Sequence, residues 1–115
     1  MAKKLTEGHI ASYAKMFSAM GTEARLRILR LLLSAHPEGM TVGDIGAELQ
    51  IPGSTLSHHL EKLKNERLVM VQRESTYLRY SANNQTLQEL LGFLYAECCT
   101  RNKAIEPDEV ITLCK

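Results

Sequence analysis

The chain has 115 residues, enough for one domain with one modest core and too few for two. With 44% apolar and 23% charged residues it has the profile of a globular protein, and it holds no apolar run of about 18 residues that would cross a membrane. The net charge is +1 at pH 7, which excludes a nucleic-acid binder that works by bulk positive charge.

Residues Ile10, Tyr13, Ala14, Phe17 and Met20 recur at helical spacing, and Gly21 ends that helix. Thr22 is a good N-cap for a second helix that runs to near His36. Its apolar stripe is Leu26, Leu29 and Leu33, widened by Ile28 and Leu32, and so wide a stripe predicts a central place in the core. Pro37 and Gly39 form a loop. Thr41 then caps a short helix with Val42, Ile45 and Leu49 inward. After the Ile51-Pro52-Gly53 turn, Ser54 caps a longer helix to Arg67 with Leu56, Leu60 and Leu63 inward. Two short helices joined by a tight glycine-containing turn read as a helix-turn-helix. Val69, Val71 and Arg73 alternate, as do Tyr77 and Arg79, with Glu74-Ser75-Thr76 between them, which predicts a two-stranded hairpin. Asn83 or Asn84 caps a last helix carrying Leu87, Leu90, Leu91, Leu94 and Cys98, and Pro107 bars its continuation through Glu106. The expected fold is a mainly α winged helix-turn-helix in the order α-α-α-α-β-β-α, one domain over residues 1–115, with dimerisation helices at its two ends.

The charges are unevenly distributed. From Gly53 to Tyr80 five basic residues (Lys62, Lys64, Arg67, Arg73, Arg79) stand against three acidic ones. From Asn84 to Lys115 three basic residues stand against five acidic. A cationic middle fits a small DNA-reading surface. In the helix that starts at Ser54, the leucines must face the core, so Ser54, Thr55, Ser57, His58 and Lys62 project elsewhere. Short hydroxyls at a helix start allow close approach to base edges, and the first amides offer donors to a phosphate. Arg73 and Arg79 on the hairpin can reach a backbone or minor groove beside that helix. The bland alternatives are caps for the hydroxyls and a solvated Arg73–Glu74 pair. His59, one turn before Leu63, reads as a half-buried packing residue rather than a contact.

The run Ser54-Thr55-Leu56-Ser57-His58-His59-Leu60-Glu61-Lys62-Leu63 resembles the recognition helix of the ArsR/SmtB family of metal-responsive repressors. Thr22-Glu23-Ala24-Arg25-Leu26-Arg27-Ile28-Leu29 is similar to that family's second helix, and Arg73 to Tyr80 to its wing. The resemblance covers roughly residues 10 to 97. It implies a homodimer joined through its first and last helices, which binds a palindromic double-stranded operator, represses, and lets go when an inducer binds. The chain's beginning, without the apolar core and cleavage site of a signal peptide, agrees with a cytoplasmic place. Some family sites are missing. The arsenite sensors' Cys-Val-Cys-Asp-Leu run corresponds here to Thr41-Val42-Gly43-Asp44-Ile45, and no histidine follows His59 to build a zinc site on the last helix. Arg67 and Ser75 stand where the family commonly has glycine.

Cys98, Cys99 and Cys114, all within the last 18 residues, carry the remaining sensor chemistry. Thiolates select soft ions. Trivalent arsenic or antimony takes three sulfurs in a pyramid, whereas zinc wants four ligands and no fourth Cys or His is near. The family includes arsenite repressors with a vicinal cysteine pair at the end of the last helix and a third cysteine downstream, which this chain resembles. Neighbouring residues on a helix point about 100° apart, so both thiols reach one ion only where the helix frays. Arg101 and Lys103 are expected to lower the thiol pKa values. The expected inducer is thus trivalent arsenic or antimony at Cys98, Cys99 and Cys114, with no organic cofactor and no membrane partner. Two alternatives stay open: a redox switch in which a Cys99–Cys114 disulfide or persulfide replaces the metalloid, and a winged-helix module that binds protein instead of DNA. No nucleophile–base pair, paired-carboxylate motif or phosphate loop points to an enzyme.

Overall fold

A computed structural model describes residues 2–101, with side chains from residue 9 onward. Helix α1 (Ala2–Met20) stops where Gly21 leaves the helix, its amide donating to the Ser18 carbonyl at 3.1 Å. Helix α2 (Glu23–Ser34) is started by Thr22, whose hydroxyl accepts from the Arg25 amide at 3.1 Å. Such a cap satisfies one of the orphan donors of the first turn. Thr41 does the same for α3 (Val42–Leu49), accepting from the Asp44 amide at 3.2 Å. Helix α4 (Gly53–Asn65) follows the tight turn of the helix-turn-helix, then the hairpin β2 (Val69–Glu74) and β3 (Tyr77–Ala82), then α5 (Asn84–Tyr95). Asn83 caps α5 by accepting from the Thr86 amide at 3.3 Å.

The winged helix-turn-helix fold is the expected one, with one addition. A two-residue strand β1 (Met40–Thr41) lies between α2 and α3 and pairs antiparallel with β3, giving the sheet order β1-β3-β2. Two residues carry no periodicity, so nothing in the sequence announces this strand. Its approach depends on Gly39, which is buried with φ +77, and a Cβ there would collide with the Tyr80 carbonyl oxygen. Only glycine adopts that backbone without strain.

The core gathers Met16 and Ala19 of α1, Ile28, Leu29 and Leu32 of α2, Ile45 of α3, and Leu56, Leu60 and Leu63 of α4. Leu68, Val69, Tyr80, Ala82, Leu87 and Leu90 complete it. Each fully buried Leu or Ile is worth about 1.5–3 kcal/mol in transfer from water. The stripe expected on α2 is narrower than its sequence suggests. Leu26 and Leu33, seven residues apart on one face, are exposed, and the buried face is Ile28, Leu29 and Leu32. Helix α2 also ends at Ser34, short of His36.

Four non-glycine residues among the described ones take left-handed backbone: Gln50 (φ 55) closing α3, Arg67 (φ 62) after α4, Ser75 (φ 57) at the wing tip, and Cys99 (φ 62) past α5. Two of these, Arg67 and Ser75, are the positions where the resembling family commonly has glycine. The conformation is retained although the residue that adopts it most cheaply is not.

Candidate nucleic-acid interface and thiol pair

Helix α4 is pinned by Leu56, Leu60 and Leu63, all buried, and this turns its remaining sides outward. Ser54, Thr55, Ser57, His58 and Lys62 are all exposed, as the periodicity requires. Asn65, seven residues beyond His58, continues the same outward strip and is exposed; its spacing was the signal that marks it. Ser54 is not the cap expected of it. The N-cap is Pro52, which makes no side-chain hydrogen bond, so Ser54 sits inside the first turn. The amides of that turn therefore keep donors available for an anionic oxygen. Lys62 has no acidic partner among the described residues, whereas its neighbour Lys64 lies 3.6 Å from Glu61. Arg27 and Glu23, 3.1 Å apart, form another exposed pair; such pairs contribute little to stability.

The hairpin register separates the two arginines. Arg73 is opposite Leu78 and Gln72 is opposite Arg79, so Arg73 and Arg79 project from opposite faces of the wing. The ion pair with Glu74 belongs to Arg79, not to Arg73: Arg79 Nε donates to Glu74 Oε1 at 2.9 Å. Its Nη1 also donates to the Gly39 carbonyl at 3.2 Å, which ties the wing to the loop before β1. Arg79 thus braces the wing, while Arg73 is exposed and free of any acidic partner among the described residues.

His59 is half-buried, as expected, and faces α2. Its Nδ1 lies 3.4 Å from Arg25 Nη1. Arginine only donates, so Nδ1 accepts and the ring proton sits on Nε2. Burial, then the charge of Arg25, then that of His58, push the His59 pKa below its ordinary value.

Past Tyr95 the α-helix ends and the chain continues through turns to Arg101, with the Cys98 amide donating to the Tyr95 carbonyl at 2.8 Å. Cys98 therefore lies beyond the regular helix rather than on its stripe. Cys99 takes φ 62, and the two thiols meet with Sγ atoms 2.9 Å apart, both half-buried. Departure from helical geometry removes the angular obstacle that a regular helix would impose on neighbouring residues. The hydrogen bond with Cys98, then burial, then the nearby Cys98 charge push the Cys99 thiol up. The direction is opposite to the lowering expected from Arg101, and the contact with Cys98 is the largest influence on the Cys99 thiol. Cys114 and Lys103 lie outside the described residues. Thr41 is occupied as the α3 cap and Gly43 has no side chain, so the helix before the turn offers no thiol site. Among the described residues no group of three metal-holding side chains forms, and no helix is long and apolar enough to cross a membrane.

A helix-turn-helix whose second helix presents a polar, partly cationic strip beside a hairpin wing defines a DNA-binding transcriptional regulator. Residues 20–72 match the family model of a helix-turn-helix domain. The chain is similar to the transcriptional repressor SdpR of Bacillus subtilis, 32% identical over 79 residues, covering 69% of this chain and 84% of that protein. It is similar to the transcriptional activator HlyU of Vibrio cholerae, 28% identical over 97 residues, covering 84% and 87%. The structure superimposes on reduced HlyU from that organism with a TM-score of 0.64 at 29% identity, covering 81% and 95%. It superimposes on NolR from Sinorhizobium fredii with a TM-score of 0.61 at 33% identity, covering 85% and 93%. The chain belongs to the ArsR/SmtB family of winged helix-turn-helix transcriptional regulators.

Proposed function

We propose that this regulator is a homodimeric repressor that leaves its operator when trivalent arsenic or antimony binds Cys98, Cys99 and Cys114. The observation that carries the reading is the 2.9 Å approach of the Cys98 and Cys99 sulfurs. Two thiols on one side of a small soft centre are what a pyramidal metalloid needs, with Cys114 as the third donor. The exchange balances without an oxidant: arsenous acid and three thiols give the tris-thiolate and three waters, each arsenic–oxygen bond being replaced by arsenic–sulfur. For DNA, Ser54, Thr55, Ser57, His58 and Lys62 on α4 supply base and phosphate contacts, Arg73 supplies a wing contact, and Arg79 supports the wing. The dimer reading is supported by apolar side chains left exposed on α1 and α5: Ile10 at 51%, Leu91 at 43% and Leu94 at 56%. Tyr13 and Phe93, stacked with centroids 4.2 Å apart, join these two helices into one layer.

A second reading draws on the same sulfur contact: oxidation of the thiols, in which two thiols and a peroxide yield a disulfide and two waters. The similarity to a HlyU described as reduced supports keeping it. The two readings differ in their response to pH. Capture of arsenous acid by protonated thiols releases water and no net proton, so its affinity changes little with pH as long as the thiols stay protonated, a form that the contact with Cys98 favours at Cys99. Oxidation runs through the thiolate, so its rate rises about tenfold per pH unit below the thiol pKa. The test titrates the reduced protein with arsenite and, separately, with peroxide across neutral pH, following metalloid–thiolate absorption and free thiols. Stoichiometric arsenite binding with flat affinity supports the metalloid; no arsenite binding together with pH-driven thiol loss and DNA release supports the oxidant.

A further inference from the structure

One residue joins three helices around the DNA-reading element. The Arg25 backbone is held by the Thr22 cap at the start of α2. Its side chain then reaches in two directions. Nε donates to the Ala19 carbonyl at 2.6 Å, in the last turn of α1, where carbonyls have no intrahelical partner. Nη1 points to His59 Nδ1 at 3.4 Å, on the flank of α4. A guanidinium is a rigid planar fork, so it fixes the positions of its two acceptors relative to each other, which a flexible ammonium does not. The bond to His59 also requires a neutral imidazole with an unprotonated Nδ1.

We propose that Arg25 is a positioning residue for DNA reading: by bridging the end of α1 and His59 of α4, it sets the attitude at which α4 is presented. The inference deepens the DNA-binding reading above and rests on it. The bracket couples the helix that carries part of the exposed apolar layer, α1, to the helix that enters the groove. A shift of α1 is thereby transmitted to α4 through two hydrogen bonds rather than through loose packing. Protonation of His59 removes the acceptor and sets a second positive charge against Arg25. The other charged and titratable groups around the bracket are Lys15 on α1, His58 and Lys62 on α4 and Glu66 just past its end; Lys15, Lys62 and Glu66 line a cleft with Arg25. Three of these are basic, so they oppose protonation of His59, and Glu66 alone favours it.

The test uses the full reduced chain and a duplex enriched from a random-sequence pool by the wild-type protein, with affinity read by anisotropy. Arg25→Lys keeps the charge but has no fork to hold both acceptors; it is expected to remain folded and to bind about tenfold more weakly. His59→Gln offers a neutral acceptor, so it is expected to match wild type at neutral pH. As the pH drops below 6.5, the ordinary histidine value, and through the lower value of His59, wild-type affinity falls relative to that of His59→Gln, since glutamine at that position takes up no proton. His58 is common to both proteins, so the difference between their profiles isolates His59. Arg25→Lys affinity within about twofold of wild type, or coincident pH profiles for wild type and His59→Gln, overturns the proposal. If Arg25→Lys does not fold, the profile comparison decides alone. A wild-type protein that enriches no duplex overturns the DNA-binding reading and this inference with it.

Discussion

At the scale of single residues, backbone conformation and side-chain identity part company at the turns. Arg67 and Ser75 hold φ values of 62 and 57 without being glycine. A left-handed non-glycine residue costs about 1–2 kcal/mol, partly offset by glycine's larger loss of freedom on folding. Arg67→Gly and Ser75→Gly are therefore each expected to raise stability by about 0.5–1 kcal/mol, read as a shift in urea midpoint at constant slope. Gly39→Ala should do the reverse, by at least about 2 kcal/mol, because its Cβ meets the Tyr80 carbonyl in addition to the strained backbone. The thiols follow the same division. Their sequence shows a vicinal pair but not how it faces, since that depends on where α5 stops and on Cys99 turning to φ 62. The charge partners were equally hidden. The Glu74 pair went to Arg79 rather than Arg73 because strand register, not sequence proximity, decides which side chains share a face.

At the scale of elements, strong local signals were sufficient. Helices α2, α3 and α5 begin at Thr22, Thr41 and Asn83, side chains that accept from the first-turn amides. Leucines four and three apart fix which side of α4 is inward, and hence its exposed strip. The sequence was misleading where the tertiary environment decides. Leu26 and Leu33 look like core by type and spacing, yet no element covers them among the described residues. Strand β1 exists through its partner β3 and through Gly39, not through any pattern of its own. For the DNA-reading elements, exposed cations without acidic partners should engage phosphates. Lys62→Ala and Arg73→Ala are each expected to reduce the slope of log affinity against log salt by about 0.9. Arg79→Ala should instead loosen the wing, lowering hydrogen-exchange protection in β2 and β3 while changing the salt slope less.

At the scale of the whole molecule, inducer-driven release needs two ends to communicate: the apolar layer of α1 and α5 proposed to join two copies, and the α4 surface proposed to read DNA. Exposed Leu91 and Leu94 lie on the proposed contact and outside the core, so Leu91→Lys with Leu94→Lys should leave the fold intact and yield monomers by sedimentation. A monomer reads one half-site and should bind an operator far more weakly. Release by an inducer requires that it prefer the DNA-incompetent state; a hundredfold loss of occupancy corresponds to about 2.7 kcal/mol. The most direct measurement is arsenite-driven release of the enriched duplex from wild type and from Cys98→Ser, Cys99→Ser and Cys114→Ser. Wild type is expected to let go, and each serine variant to stay bound at concentrations that free the wild type. Release from all three variants as readily as from wild type would contradict it.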